Sequence, residues 1–206
     1  MLSTAAMTAM WAGSTPGIWD DGHAGSVTDH DRARAPQMRG GARQAGRKVI
    51  DRMHISEILQ PSAVRSFGQV TSKKRLFQEL AEMAHTVYGL PASEVLDALQ
   101  ERESLGPTGV GQGVALPHAR LHGLDKVVGL FVRLEKPLDF DAVDRQPVDL
   151  VFALLAPKDG GVDHLKALAL VSRTLRDTDL RSKLRANSDP AALHAILTSG
   201  PGMAAA

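Results

Sequence analysis

The sequence predicts an α/β sandwich, a central sheet with helices on both faces. Three observations lead there. Apolar residues recur at helical spacing on either side of a strand-rich middle. Within that middle, Val127–Leu134 and Val148–Leu155 are nearly continuous apolar runs. Strands of that kind are buried on both faces, as strands under helices must be. Aromatic residues make up only 4% of a chain that is 43% hydrophobic, so Leu, Val, Ile and Ala must build the core.

Order is predicted to begin near Ile55. Ile55, Ile58 and Leu59 share a helical face, and Pro61 should end that turn. Val64 and Phe67 suggest a short edge strand. Ser72 is the predicted N-cap of a long helix in which Leu76, Phe77, Leu80, Met83, Ala84 and Val87 face inward, with Gly89 at its end. Lys73, Lys74 and Arg75 cluster at the start of this helix, the end where the dipole disfavours cations. They read either as a solvated face or as a patch for an anionic partner. Ser93 is the predicted cap of a second helix that buries Val95, Leu96 and Leu99.

Ser104 to Gly113 reads as loop, and Val114 to Leu116 as a brief strand that Pro117 should stop. Pro137–Pro147 is a polar connection between the two long strands, and Ala156–Gly161 a further loop. A third helix should start near Asp163, with Leu165, Leu168, Val171 and Leu175 inward. A short helix over Asp177–Leu184 follows. Asp189-Pro190 then opens a final helix over Ala191–Leu197.

Residues 1–52 differ from the rest. They lack sustained periodicity, and Arg32–Arg52 holds seven basic residues against Asp51 alone. Such a stretch buries too little apolar surface to offset its chain entropy, so it is predicted to be disordered. It is also open to being untranslated, with Met53 as the start. The predicted folded domain is therefore 53–200, followed by a frayed tail over 201–206.

Charge and composition exclude several function classes. A formal net charge of +1 gives no global argument for nucleic acid as a partner. The absence of cysteine removes disulfides, thiolate catalysis and zinc–thiolate sites, and fits a cytoplasmic protein. No apolar run approaches the roughly 18 residues of a membrane span, so no membrane insertion is expected.

Chemistry concentrates in Gly109-Val110-Gly111-Gln112-Gly113-Val114-Ala115-Leu116-Pro117-His118. The alternating glycines superficially suggest a dinucleotide fingerprint, but the helix such a motif needs does not follow. His118 and His122 stand four apart, a zinc spacing only on a helix, which Pro117 and Gly123 oppose. His118 sits at a strand end beside a rigid residue. The spacing allows a structural histidine there, and equally a nucleophile whose second nitrogen gives its proton to a fixed acceptor. Phosphorus would be a suitable target. The resulting oxygens would need donors, for which Thr108, the amides of Gly109, Gly111 and Gly113, Arg102 and His164 are candidates. For Arg102 the competing reading is a local pair with Glu101 or Glu103.

The stretch Gly111–His118 resembles the phosphohistidine motif of the mannitol/fructose-type IIA domains of the phosphotransferase system. Glu101-Arg102-Glu103 resembles the arginine segment of that family, and Asp163-His164-Leu165 its second histidine. Phe140 to Leu155 is most similar to the nitrogen-regulatory branch. The likeness extends from about Ile55 to Thr198. It implies a mixed, roughly five-stranded sheet and a phosphotransferase that works through phosphohistidine. His118 would be the acceptor, Arg102 a clamp and His164 a second imidazole. The donor would be a phosphorylated HPr-like carrier, with no cofactor or metal. Kinases or transporters would read the phosphorylation state. Service as a stand-alone sugar-specific IIA component, or as a phosphorylation-independent binding module, are the alternatives.

Overall fold

The computed structural model describes residues 53–199. The expectations for 1–52 and 201–206 lie outside the described residues. Twelve elements are described: α1 (Ile55–Ile58), β1 (Leu59–Phe67), α2 (Lys73–Tyr88), α3 (Ala92–Ser104), β2 (Gly109–Gly111), β3 (Val114–Ala115), β4 (His118–Leu121), β5 (Val128–Leu138), β6 (Val148–Pro157), α4 (Asp163–Arg176), α5 (Thr178–Ala186) and α6 (Pro190–Thr198). The mixed sheet runs β1-β5-β6-β3-β2, with β4 also paired to β6. Six described strands stand where about five were expected, because Pro117 divides one line of chain into β3 and β4.

Strand β6 is the axis of the sheet. Every residue from Leu150 to Ala156 is buried, so helices cover both of its faces. β5 runs antiparallel along one side, pairing Phe131 with Phe152. On the other side β3 and β4 run parallel, in the registers Val114↔Leu150 and His118↔Leu154. The β3–β4 line therefore resumes after Pro117, where it was expected to stop. The Pro117 carbonyl still accepts from the Leu154 N–H at 2.9 Å, so the missing proline N–H leaves the pairing with β6 intact.

Other expectations shift for identifiable reasons. Leu59 and Pro61 lie in β1, which is much longer than the predicted edge strand. Proline is tolerated there because β1 pairs only with β5. Both ends of α2 follow prediction: Ser72 Oγ accepts from Arg75 N–H, and Gly89 closes the helix at φ 71°. Helix α3 begins one residue before Ser93, with Pro91 at the N-cap and no side-chain cap. Part of the expected Ser104–Gly113 loop is the short strand β2. On α4, Leu165 is exposed rather than inward, and His164 and Ala167 are buried with Val171 and Leu175.

The basic cluster on α2 is mostly committed to neighbours. Lys73 Nζ donates to Glu103 and to Asp141, each at 3.0 Å, and lies over the Phe140 ring. Arg75 pairs with Glu79 one turn on.

Candidate functional site

Strand β4 and the end of α3 bring two side chains together. Helix α3 packs on β4, which carries Arg102 to His118. The Arg102 Nε–H donates to His118 Nε2 at 3.0 Å. Its Nη1 donates to the Gly106 carbonyl at 3.1 Å, just past the helix end. Arg102 thus makes no local pair with Glu101 or Glu103. The other ring nitrogen, His118 Nδ1, lies 2.9 Å from the Leu116 carbonyl. A carbonyl can only accept, so Nδ1 carries the hydrogen and Nε2 keeps its lone pair. Both partners select the same tautomer. Leu116 lies between β3 and β4, where its carbonyl faces the His118 ring while its N–H donates to the Thr108 carbonyl.

Burial pushes the His118 pKa below its ordinary value, and the Arg102 charge adds to that. The Leu116 hydrogen bond and the Glu103 carboxylate oppose it. The ring is therefore neutral near pH 7, the form that has a nucleophilic nitrogen.

His164 enters from the first turn of α4. It is 8% exposed, with its ring centroid 5.6 Å from that of His118 and the planes 38° apart. Its pKa is lowered by burial first, then by the charges of Arg120 and His118. Its Nδ1 is buried without a hydrogen-bond partner. The α4 N-terminus has no side-chain cap, which leaves a turn with positive partial charge at the site.

These groups open onto a cavity of about 450 Å³ whose lining includes Ala98, Arg102, Leu105, His118, Arg120 and His164. Leu105 stands at its edge, 81% exposed. Arg120 was not anticipated from the sequence. The available signal was its position two residues beyond His118, which on a strand means the same face.

The predicted glycine cradle is elsewhere. Gly109, Gly111 and Gly113 do not line this cavity. A Cβ on Gly109 would stand 2.8 Å from the Ala142 Cβ, and one on Gly111 would meet the Asp144 carboxylate. Gly113 lies under Arg185 and Asp149, which pair at 2.7 Å. The glycines let the β2–β3 hairpin lie against the Phe140–Pro147 connection. Asp144 fastens that contact by accepting from the Gln112 N–H. Thr108 is also turned away: its hydroxyl and N–H both donate to Glu103 Oε2, at 2.6 and 3.1 Å. His122 is exposed and does not join the other two histidines. Among the described residues no group of three or more His, Asp or Glu is arranged to hold a metal.

Known proteins resemble this chain in sequence and in fold. The family model for the EIIA 2 component of the phosphoenolpyruvate-dependent sugar phosphotransferase system matches residues 57–200. The nitrogen regulatory protein of Bradyrhizobium diazoefficiens is 48% identical over 153 residues, which is 74% of this chain and all of that one. The nitrogen regulatory protein of Escherichia coli K12 is 40% identical over 151 residues, 73% of this chain and 93% of its own. The crystal structure of nitrogen regulatory protein IIA-Ntr from Neisseria meningitidis superposes with a TM-score of 0.64 at 39% identity, covering 69% of this chain and 97% of that one. IIA mannitol from Escherichia coli, at 18% identity and a TM-score of 0.56, shares the fold.

Proposed function

The chain belongs to the EIIA 2 family of the phosphoenolpyruvate-dependent sugar phosphotransferase system, and from that premise we propose that it is a nitrogen-regulatory phosphocarrier with His118 as its acceptor. The observation that carries this reading is the His118 ring, pinned at Nδ1 by Leu116 with Nε2 facing a guanidinium. The folded unit of about 53–200 is the carrier domain. The donor is a phosphorylated HPr-like protein. The readers of the charged or uncharged state are kinases or transporters in the cytoplasm. None of the described helices is long and apolar enough to cross a membrane.

The chemistry follows from the tautomer. The Nε2 lone pair attacks phosphorus, and the bond to the donor breaks with its electron pair leaving on the donor atom. The Nδ1 proton stays on its nitrogen, donated to the Leu116 carbonyl. The charged ring thus carries positive charge shared between its nitrogens, partly offset by that carbonyl and by Glu103. When the phosphoryl moves on, the ring departs as a neutral imidazole, so transfer runs in both directions without a proton leaving the site. Arg102 occupies the Nε2 lone pair in the uncharged protein. It must withdraw before attack, and is then placed to hold the incoming oxygens as a planar, charged donor. His164 and the α4 N-terminus border the same space and favour negative charge there.

The test is incubation with a phosphorylated HPr-like donor, followed by intact mass. Wild type should gain one phosphoryl group that is labile in acid and stable in alkali, and His118→Ala should gain none. No gain by wild type, or an equal gain by His118→Ala, would sink the reading.

A further inference from the structure

We propose that residues 105–107, the short link after α3, display the phosphorylation state of His118 to partner proteins, with Arg102 as the catch that holds the link in the uncharged form. This rests on His118 being the acceptor. It adds the element through which the state of a half-buried ring reaches the surface.

The link is clamped at both ends. Ser104 closes α3, and its Oγ donates to the Glu101 carbonyl at 2.7 Å. Thr108 is buried, and its N–H and hydroxyl both donate to Glu103 Oε2. Lys73 Nζ holds the other oxygen of the same carboxylate at 3.0 Å. Between the clamps the backbone is lightly held. The Leu105 N–H reaches the Arg102 carbonyl at 3.3 Å, and the Gly106 N–H reaches that of Glu103 at 3.1 Å. Gly106 takes a φ of 155°, and a Cβ there would meet nothing within 4 Å, so no packed neighbour stops its backbone from turning. Arg102 completes the hold, with Nη1 donating to the Gly106 carbonyl at 3.1 Å.

The same guanidinium binds the imidazole, through Nε–H to His118 Nε2 at 3.0 Å. A phosphorus bonded to Nε2 stands inside that span, so the guanidinium must retreat. With Nε–H on a phosphoryl oxygen at about 2.8 Å, it stands roughly 2 Å further from the ring. A guanidinium is planar and rigid, so Nη1 moves with Nε. A shift of that size exceeds what the bond to Gly106 tolerates. The carbonyl then either follows the arginine or turns to water, and both move the link. Leu105, exposed at the rim of the cavity, moves with it. A partner that tells the two forms apart therefore brings an apolar surface to Leu105. By linkage, a partner that grips the held link opposes charging of His118 by the same factor that charging weakens its grip.

The test uses the full chain, uncharged and charged with phosphoramidate, whose phosphoryl passes to Nε2 as ammonia leaves. This small donor covers no surface. Intact mass reports charging. Amide hydrogen exchange at Leu105, Gly106 and Thr108 and the Leu105 methyl NMR signals report the link. In charged wild type the Gly106 amide should exchange about tenfold faster, the loss of one hydrogen bond from a charged group. The Leu105 methyl signals should move, and Thr108 should keep its protection. Uncharged Arg102→Ala should already show the link as it is in charged wild type. His118→Ala should show no difference between treated and untreated protein.

If wild type is charged and the link keeps its exchange and methyl signals, it displays nothing and the inference falls. A change in charged wild type that uncharged Arg102→Ala lacks would also overturn it, because the catch would not be Arg102. So would an equal loss of protection at Thr108, which would place the change beyond the clamps. If wild type takes no phosphoryl at His118 from phosphoramidate or from the HPr-like donor, the functional reading falls and takes this inference with it. Charging of wild type thus tells the two failures apart.

Discussion

The Leu116 carbonyl decides the chemistry of the residue two places after it. It sets the tautomer of His118, and burial together with Arg102 keeps that ring neutral. Acceptance of phosphoryl should therefore stay constant as pH falls past the ordinary histidine value near 6.5, and drop only at more acid pH. In Arg102→Ala the acid limb should move upward, because a cation that disfavoured protonation is gone. NMR titration of the histidine rings, beside transfer rates, checks both statements. The same variant should slow transfer by about ten- to a hundredfold, the worth of a hydrogen bond to a charged group. Stability has a matching sign. His118 and His164 both have folded-state values below their unfolded ones. The unfolded chain therefore takes up protons that the folded chain refuses. Stability is full above about pH 6.5 and is lost as pH falls toward the folded-state values. Urea midpoints across that range, compared with His164→Ala, should show the loss and its reduction. At this scale a motif in the sequence singled out His118, Arg102 and His164, and the structure brings the three side chains together. Arg120 was hidden because an arginine after a histidine carries no meaning until the strand register is known.

Helix α3 shows how one element serves two tasks with adjacent residues. Arg102 turns to the imidazole, while Glu103, its side chain 10% exposed, binds Thr108 and Lys73. Lys73 in turn reaches Asp141 in the connection before β6. Glu103→Ala should leave two Thr108 donors and a lysine without their acceptor, costing about 1–3 kcal/mol in denaturant unfolding. Glu101→Ala, two positions earlier on the exposed side, should change stability by less than about 0.5 kcal/mol. The start of α3 was misplaced because Ser93 has the chemistry of a cap, whereas Pro91 already fixes the entry backbone. The glycines misled for a related reason. Freedom from a Cβ announces a close approach, but not what approaches. Here it is Ala142, Asp144 and the Arg185–Asp149 pair.

For the molecule as a whole, the apolar runs predicted the central strands well, since strands buried on both faces need little beyond hydrophobicity. The edges were less legible. β1 contains Pro61 and β2 is three residues long, and both depend on neighbours distant in sequence. Among the glycines within the described strands the closest approach is at Gly129, where an added Cβ would come 2.7 Å from the Phe152 ring. Gly129→Ala should destabilise the fold by about 1–3 kcal/mol, read from its melting temperature, while the His118 site keeps its titration behaviour.

One detail of the sheet bears on how such a carrier is reused. The Pro117 carbonyl holds the Leu154 amide, on a strand buried along nearly its whole length, immediately before the His118 ring. That amide should exchange with solvent only through global opening, at the slowest rates in the protein. In the proposed carrier role, loading and unloading should then leave the backbone under the imidazole unchanged, so that successive cycles would begin from the same starting geometry with no relaxation step between them.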